Sequence, residues 1–280
     1  MPFISDFVSV VGAPLLRADR ASSTNDLLVD LLRDPRVPTP PLTTLVADAQ
    51  LAGRGRLGRS WVSLPGRSLT ASTAVLLPGT PGLRGAVAWA LLSAALSMRE
   101  AVAARLDATP HRVGVKWPND VVVDGARKLV GILGEVVDQD DAGMRLVLGV
   151  GANVAMTDAE RPTPVATALS LEGDAQAARD PRAVADRLLD AYLLGLRRRV
   201  EALVAHDGDA RAAGLLDELA AHCVTLGCPV LLRSPSDPGS APPATGTARS
   251  LLPDGSLSVE LPDGSLRTVT AGDVEMVSSP

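Results

Sequence analysis

Three arginines alternate with three glycines in the segment Gly53–Trp61, which reads GRGRLGRSW. Guanidinium groups present a fixed fork of N–H donors that matches phosphate or carboxylate oxygens, and glycine lets a backbone approach a ligand closely. No Asp or Glu occurs from Gln50 to Arg99, although the whole chain carries a net charge of -5. This local positive charge predicts a loop wrapped around an anionic ligand such as a nucleotide. An ordinary solvated turn is the alternative.

The same glycines, Gly53, Gly55 and Gly58, fit the G-x-G-x-x-G spacing of dinucleotide-binding folds. That motif requires a helix that begins on the glycines and an acidic residue about 20 positions later. A proline, a glycine and a β-like run follow instead, and no acidic residue occurs before Glu100. The context therefore excludes a dinucleotide-binding fold here.

The cluster Ser23–Asn25 offers three polar side chains in succession before an apolar run. Ser23 followed by Asp26 is typical of a helix N-cap, because a serine oxygen can accept a hydrogen bond from a backbone N–H of the first turn. The pattern predicts a helix in Ser22–Asp34, and capping alone would explain Ser23. The three polar side chains at the helix N-terminus could also contact a neutral polar ligand.

A further polar group ends the strand predicted in His111–Asp120, which reads HRVGVKWPND. A proline breaks the strand before an Asn-Asp pair, which suits a binding site and suits an ordinary turn equally well. An Asp-Gly pair then predicts a tight hairpin between strands Val121–Val123 and Leu129–Val137. Lys128 lies just past that turn, where a lone lysine would normally extend to solvent.

The apolar pattern predicts the elements that must position these segments. The strands are Leu42–Gln50, Ser68–Leu77 and Met144–Val154, and the helices are Leu83–Leu106, Pro181–Val204 and Asp209–His222. Gly149 and Gly151 permit close approach of another chain segment in the last strand. The run Arg197–Arg199 predicts a solvated helix face.

Common hydrolase, metal-binding and P-loop motifs are absent from the sequence. The chain contains no H-E-x-x-H, G-x-S-x-G or G-x-x-x-x-G-K-[ST] motif, and Cys223 and Cys228 form neither a disulfide framework nor a zinc set. Arginine, lysine, asparagine and aspartate around glycine-rich loops instead suit phosphoryl or adenylyl transfer.

The longest apolar run, Gly85–Leu96, is too short for a membrane span and predicts a buried helix. The N-terminus lacks a basic region, so a cytoplasmic protein is expected.

From Val224 the sequence changes to short β-like runs. These runs are Pro229–Arg233, Gly246–Leu252, Ser256–Leu261 and Ser265–Val269. The repeated pentapeptide PDGSL, at Pro253–Leu257 and Pro262–Leu266, predicts two tight hairpins, and Ser234–Thr245 predicts a loop. The pattern indicates a small all-β module of roughly 55 residues, too small to carry the chemistry alone.

Five segments together resemble the biotin protein ligase family, in its monofunctional form without a DNA-binding domain. In chain order they are Ser23–Asn25, Gln50 before AGRGRLGRSW, KWPND (Lys116–Asp120), RKLVGILGE (Arg127–Glu135) and GVGANV (Gly149–Val154). The resemblance implies an α+β fold for residues 1–222, with a mixed β-sheet flanked by helices and related to class II aminoacyl-tRNA synthetases. It also implies that residues 223–280 form a small C-terminal SH3-like β-barrel.

The resemblance also implies roles for individual residues. Biotin would contact Ser23, Thr24, Asn25, Gln50, Arg54, Gly55, Arg56 and Lys128, and the nucleotide would contact Arg56, Arg59, Lys116, Asn119 and Asn153. Lys128, Asp120 and Arg54 would be the catalytic residues. Lys128 would hold the carboxylate and adenylate oxygens, and Asp120 would orient or deprotonate the acceptor amine.

The implied reaction has two steps. Biotin and MgATP give biotinyl-5′-AMP and pyrophosphate, and the adenylate then acylates a lysine of the biotin carboxyl carrier domain of an acyl-CoA carboxylase. Mg2+ is implied without a directly assigned ligand. Because 21 residues precede Ser22, too few for a DNA-binding domain, no DNA binding is expected. No membrane partner is expected either, and a homodimer through a sheet edge is left open.

Two rival functions follow from the same residues. One is a lipoyl- or octanoyl-transferring relative on the same fold, which the glycine–arginine loop together with KWPND disfavours. The other is a non-catalytic regulator that binds biotin or a nucleotide, which would be expected to lack the charged set that this chain retains. The sequence departs from the family pattern at Leu51, where a small or polar residue is usual, and by one extra residue between Asp120 and Lys128.

Overall fold

A mixed eight-stranded sheet organises the computed structural model, which describes residues 5–233, 244–270 and 273–276. The first ten strands are β1 (Ser5–Val8), β2 (Pro14–Ala21), β3 (Thr44–Gln50), β4 (Gly53–Arg54), β5 (Ser60–Trp61), β6 (Ser68–Pro78), β7 (Val113–Lys116), β8 (Asp120–Val123), β9 (Arg127–Gln139) and β10 (Gly143–Asn153). Strand order in the sheet is β1-β2-β3-β6-β10-β9-β8-β7, while β4 and β5 pair separately. All neighbours in the large sheet are antiparallel except β2 and β3. The predicted mixed sheet flanked by helices is confirmed.

Helices cover both faces of this sheet. They are α1 (Thr24–Arg33), α2 (Pro81–Arg84), α3 (Val87–Arg105), α4 (Ala175–Arg179), α5 (Pro181–Ala205) and α6 (Leu215–His222). Successive residues of a strand point to opposite faces. Leu45 packs with Leu28 of α1, whereas the next residue, Val46, belongs to the cluster that contains Leu96 of α3. One face therefore packs on α1 and the other on α3 and α5.

Two predicted helices differ in extent from those observed. The predicted helix Leu83–Leu106 is divided into α2 and α3 at Gly85 and Ala86. The predicted helix Asp209–His222 begins only at Leu215, because Gly214 adopts φ +75°, which lies outside the right-handed helical region. Both breaks shorten the elements without changing the order of the fold.

The apolar helix α3 is buried in the centre of the protein. Among the described residues it is the one helix long and apolar enough to cross a membrane, but most of that stretch is buried inside the molecule. Trp89, Leu92, Leu96 and Met98 are each almost fully buried. A helix that is apolar on all sides is typical of a protein core, so the buried helix predicted from Gly85–Leu96 is confirmed.

The C-terminal segment forms a second, five-stranded antiparallel sheet. Its strands are β11 (Pro229–Arg233), β12 (Ala244–Leu251), β13 (Leu257–Glu260), β14 (Leu266–Val269) and β15 (Asp273–Met276), in the order β14-β13-β12-β11-β15. The sequence patterns did not predict β15. The predicted loop Ser234–Thr245 lies mostly in 234–243, outside the described residues, and its last two residues belong to β12. Buried side chains of this sheet, including Val230 and Leu257, join the same apolar core as α3.

Arg199 corrects the prediction that Arg197–Arg199 forms a solvated face. The Arg199 side chain is 2% exposed, whereas that of Arg198 is 62% exposed. Arg199 donates hydrogen bonds to Ser97 Oγ (3.1 Å), Glu100 Oε2 (2.8 Å) and Glu218. Burial of the charge is offset by these partners. Consecutive helical positions differ in direction by about 100°, so a run of three arginines cannot share one environment.

Arg199→Ala should lower the free energy of unfolding by about 3 kcal/mol, because it leaves Glu100 and Glu218 without their buried partner. Arg198→Ala is the matched control, and its exposed ion pair with Glu100 should contribute less than about 0.5 kcal/mol. Urea denaturation of both variants and the wild type measures the difference. Equal destabilisation by the two substitutions would contradict a structural role for the buried guanidinium.

Candidate active site

Every site residue predicted from the sequence lines a single cavity of about 340 Å³. The predicted residues in its wall are Ser23, Thr24, Asn25, Gln50, Arg54, Gly55, Arg56, Arg59, Lys116, Asn119, Asp120, Lys128 and Asn153. They come from α1, from the ends of β3, β7 and β10, from the β4–β5 segment and from the β8–β9 hairpin. The cavity therefore brings together segments separated by up to 130 positions in the chain.

The N-terminus of α1 forms a polar wall that is connected to the end of β3. Ser23 caps the helix, and its Oγ accepts a hydrogen bond from the Asp26 backbone N–H (3.3 Å). The backbone N–H and the hydroxyl of Thr24 both donate to Gln50 Oε1, at 2.9 and 3.1 Å. The predicted helix cap is confirmed. The Gln50 carboxamide is held at its oxygen, so its N–H₂ group is oriented by the same contacts.

Asn25 extends this wall across the sheet. Its Nδ2 donates to Glu135 Oε1 (2.7 Å), and its Oδ1 accepts a hydrogen bond from Ser72 Oγ (2.6 Å). A Cβ atom at Gly149 would lie 2.1 Å from Asn25 Oδ1. Gly149 is therefore required for α1 to approach β10 this closely, as the sequence predicted in general terms for the glycines of this strand.

The glycine–arginine segment is a short ribbon rather than an open loop. Gly53 pairs with Trp61 and Arg54 with Ser60, so that β4 and β5 close a tip at residues 55–59. The tip is held by the Gly55 N–H, which donates to Arg59 O (2.6 Å). Leu57 adopts φ +54° and is 53% exposed. All three arginines of the ribbon line the cavity.

Two of these arginines are oriented by partners in other segments. Arg54 Nη2 contacts Asp26 and lies 3.0 Å from Glu135 Oε1, so both carboxylates offset its charge. Arg56 Nη1 donates to Asn119 Oδ1 (3.1 Å). Asn119 in turn donates from Nδ2 to the backbone oxygen of Ile132 (2.7 Å). The ribbon is thus connected to α1 on one side and to the KWPND segment on the other.

Lys128 and Asp120 form an ion pair inside the cavity. Lys128 Nζ lies 2.7 Å from Asp120 Oδ1, and the two side chains are 33% and 17% exposed. The lysine therefore faces the cavity, and the alternative that it extends to solvent is wrong. Its ammonium group also lies 5.8 Å from the centre of the Trp61 ring, within the range of a cation–π contact.

Trp61, which no prediction singled out, forms the floor beneath this ion pair. Its indole lies on paired glycines of neighbouring strands, because Gly131 of β9 pairs with Gly151 of β10. A Cβ atom would lie 3.0 Å from the indole at Gly131 and 2.4 Å from it at Gly151. The indole N–H is buried and has no hydrogen-bond partner among the described residues. Its position at the end of GRGRLGRSW and the spacing of the glycines were the available sequence signals.

The remaining predicted residues complete the cavity. Lys116 ends β7, and Asn153 ends β10 with its Nδ2 donating to Thr167 O (2.9 Å). The lining side chains include five cationic groups (Arg54, Arg56, Arg59, Lys116 and Lys128) and one carboxylate (Asp120). A partly enclosed site with this balance of charge attracts anions, since cations there are less screened than in bulk water.

A second charged cluster holds the hairpin that carries Lys128. Arg127 donates from Nε and Nη2 to the two oxygens of Glu172, both at 2.7 Å, and from Nη2 to Asp124 (2.8 Å). The backbone N–H of Arg112, with Arg127 and His111, lowers the pKa of Asp124 to about 2. Burial opposes ionisation of Glu172, but hydrogen bonds from Arg127 and Thr167 outweigh it and lower its pKa. These bonds fix β9 immediately before Lys128.

The chain is similar to known proteins both in sequence and in fold. A family model described as the biotin/lipoate A/B protein ligase family matches residues 18–153. A biotin–[acetyl-CoA-carboxylase] ligase of Mycobacterium tuberculosis is 34% identical over 82% of this chain and 77% of the relative. One of Paracoccus denitrificans is 38% identical over 53% of this chain and 60% of the relative. The structure of biotin protein ligase from Aquifex aeolicus with biotin and ATP shares the fold, with a TM-score of 0.65, 24% identity and coverage of 95% and 99%.

Asp124→Asn should flatten the dependence of stability on pH in acid. The native pKa of Asp124, about 2, is below its usual 3.8. Its carboxylate therefore stabilises the protein above pH 3.8, and this stabilisation is lost as the pH falls towards 2. The free energy of unfolding, measured by urea denaturation between these pH values, should fall less steeply in the variant. The exposed residue Asp107, changed to Asn, is the control, and an unchanged slope for Asp124→Asn would contradict the assignment.

Proposed function

The chain belongs to the biotin/lipoate protein ligase family, and on that premise we propose that it is an ATP-dependent biotin protein ligase. Biotin and ATP give biotinyl-5′-AMP and pyrophosphate, and the biotinyl group is then transferred to a lysine of a biotin carboxyl carrier domain. The observation that carries the proposal is that Lys128 and Asp120 face the arginine ribbon across one cavity. The names of the relatives at 34% and 38% identity support biotin as the acyl group.

We assign recognition of biotin to the polar wall at α1. The ring of biotin carries a neutral urea group, which needs matched donors and acceptors rather than charge. Thr24 and Gln50 are already oriented towards each other, and Ser23, Thr24 and Asn25 are each less than 5% exposed. Buried polar groups reject ligands that leave them without a hydrogen bond. This wall would therefore discriminate against a purely apolar acyl chain.

The first step brings two anions together. The biotin carboxylate oxygen attacks the α-phosphorus of ATP, a P–O bond to pyrophosphate breaks, and the pyrophosphate leaves with its electron pair. Lys128, Arg54 and Arg56 would offset the repulsion between carboxylate and phosphate. Cations that are held in place before reaction stabilise the developing charge without reorganising. Arg54 and Lys128 are held in this way by their carboxylate partners.

The second step transfers the acyl group to a lysine amine. The amine nitrogen attacks the acyl carbon of the adenylate, the bond to AMP breaks, and the ammonium formed must lose a proton. Asp120 is the one carboxylate among the lining residues of the cavity, and it can accept that proton or orient the amine. Its ion pair with Lys128, the proposed ligand of the adenylate oxygens, supports this role.

The ribbon tip at residues 55–59 would shield the reactive adenylate from water. Its base is anchored by Arg54 to Asp26 and Glu135, whereas Leu57 at the tip is 53% exposed. A segment with a fixed base and an exposed tip can order over a ligand. Exclusion of water prevents hydrolysis of the acyl-adenylate before the acceptor arrives.

The cavity fits Mg2+ that enters with ATP rather than a resident metal. Mg2+ prefers six oxygen ligands and usually binds through substrate phosphates with one or two carboxylates. Among the described residues no cluster of three or more His, Cys, Asp or Glu side chains could hold a metal ion. Asp120 is the available carboxylate, and the metal would supply further neutralisation of phosphate charge.

We further propose the finer architecture implied by the resemblance. Residues 1–222 would form a catalytic domain related to class II aminoacyl-tRNA synthetases, and residues 223–280 an SH3-like barrel built on the five-stranded sheet. The carrier domain of an acyl-CoA carboxylase is the proposed acceptor. Homodimer formation, the lack of DNA and membrane binding, and a cytoplasmic location remain predictions from the sequence.

The wild-type chain should release pyrophosphate from ATP only when biotin is present. Lys128→Met should slow this release at least about a hundred-fold, since it removes a fixed positive charge from the developing adenylate. Arg267→Met, at an exposed position on β14, is the control and should match the wild type.

Three results would count against the assignment. Release that depends on lipoate or octanoate rather than biotin would favour the lipoyl-transferring relative. If Lys128→Met retained most of the wild-type rate of pyrophosphate release, Lys128 would have no role in the mechanism. Folded wild-type protein that binds biotin but releases no pyrophosphate would indicate a regulator.

Asp120→Asn should slow acyl transfer more than adenylation. With preformed biotinyl-5′-AMP and a carrier domain, single-turnover transfer should fall about ten- to hundred-fold, because the amide cannot accept the proton of the amine. Biotin-dependent pyrophosphate release should fall less. Mass spectrometry of the carrier follows transfer, and equal losses in both steps would assign Asp120 to general positioning instead.

A further inference from the structure

The first PDGSL turn, Pro253–Leu257, lies directly behind the active-site segment KWPND. Trp117 Nε1 donates a hydrogen bond to Gly255 O (3.0 Å), and Trp89 Nε1 of α3 donates to Pro253 O (2.7 Å). The two tryptophans are 2% and 1% exposed. A buried indole N–H needs an acceptor, and this turn supplies one for each tryptophan.

The turn fits closely between α3 and Trp117. Gly255 adopts φ +84°, and a Cβ atom there would lie 2.9 Å from Leu92 Cδ1 and 3.3 Å from Ala88 Cβ. The turn is also rigid, because Asp254 Oδ1 accepts hydrogen bonds from the backbone N–H and the hydroxyl of Ser256, at 3.0 and 2.5 Å. The acceptor carbonyls of the turn are therefore held in fixed positions.

Other C-terminal residues hold the same segment. The backbone N–H of Trp117 donates to Thr225 Oγ1 (2.9 Å), and the N–H of Val224 donates to Val115 O (3.0 Å). Val274 of β15 lines the active-site cavity itself. Trp117 is thus held through both its backbone and its side chain by residues that follow α6.

The second PDGSL turn, Pro262–Leu266, is an internal comparison. It forms the same bonds, with Asp263 Oδ1 accepting from the backbone N–H and the hydroxyl of Ser265 (2.9 and 2.6 Å), and Gly264 adopts φ +82°. Nothing lies within 4 Å of a Cβ built at Gly264. Identical pentapeptides therefore form identical turns, but only the first is docked against the active-site segment. Docking of Pro253–Leu257 therefore depends on its surroundings in the fold and does not follow from the pentapeptide sequence.

We propose that the turn Pro253–Leu257 is a positioning element of the active site, which acts through Trp117 on Asn119 and Asp120. Asn119 binds Arg56, and Asp120 binds Lys128, so a shift of Trp117 would move both contacts. Displacements of about 1 Å in a catalytic site can cost a hundred-fold in rate. This role rests on the proposed ligase function and extends it: the five-stranded module supports the nucleotide side of the reaction.

Gly255→Ala and Gly264→Ala test the proposal as a matched pair in the full chain. Both place alanine at the same unfavourable φ, so the strain within each turn is equal. Gly255→Ala should lower kcat for biotin-dependent pyrophosphate release at least about ten-fold. Its Kd for biotin and its number of biotin sites, measured by calorimetry, should stay within two-fold of the wild type, because Thr24 and Gln50 are held by other contacts. Gly264→Ala should match the wild type in both assays.

Trp89→Phe provides a second variant in case Gly255→Ala does not fold. It removes the hydrogen bond to Pro253 O from a residue outside the cavity wall, so a lower kcat with unchanged biotin binding would support the proposal. Equal kcat values for Gly255→Ala and Gly264→Ala, or a loss of kcat in proportion to lost biotin sites, would overturn it. Absence of pyrophosphate release from the wild-type chain would instead overturn the ligase function on which it rests.

Discussion

The site depends on one packing constraint: positions 131 and 151 must be glycine, because the Trp61 indole occupies the space that a side chain would fill. These glycines pair across β9 and β10, and a Cβ at Gly151 would lie 2.4 Å from the indole of Trp61. The indole therefore packs on bare backbone in the centre of the sheet. Since Trp61 ends the ribbon that carries the arginines, this packing brings their charges over the sheet and beside Lys128. Larger residues at either position would displace the ribbon and disperse the cations.

Two cations of the site, Arg54 and Lys128, are paired with carboxylates before any ligand binds. Arg54 contacts Asp26 and Glu135, and Lys128 contacts Asp120. Such pairs lower the cost of holding cations in a partly enclosed cavity, and they also orient the donors. An incoming carboxylate or phosphate must share these cations with the protein's own carboxylates. Ligand binding would therefore alter the ion pairs of the ribbon and of the KWPND segment. Both segments take part in the proposed chemistry.

Local sequence signals predicted most of the secondary structure, whereas the proposed site residues followed from the resemblance to the biotin protein ligase family. The Ser23 cap, the Asp-Gly hairpin and the PDGSL turns depend on interactions within a few residues, so their patterns can be read without tertiary information. The errors occur where distant partners decide the environment. Arg199 was predicted in a solvated run but is buried by Ser97, Glu100 and Glu218. The ribbon was predicted as a loop, because a pairing of two residues leaves no periodic pattern.

The amino-acid order is sufficient to establish residue chemistry: which side chains can carry charge, where glycine permits close approach, and where a strand must end. It is also sufficient to recognise the family, because the motifs occur in a fixed order along the chain. Proximity across the fold follows only from packing. Lys128 faces Asp120 rather than solvent, Trp61 covers two glycines, and one of two identical turns docks on Trp117. Each of these outcomes depends on which surfaces meet when the sheet, α3 and the C-terminal module bury their apolar area together, and a linear pattern contains no such distances.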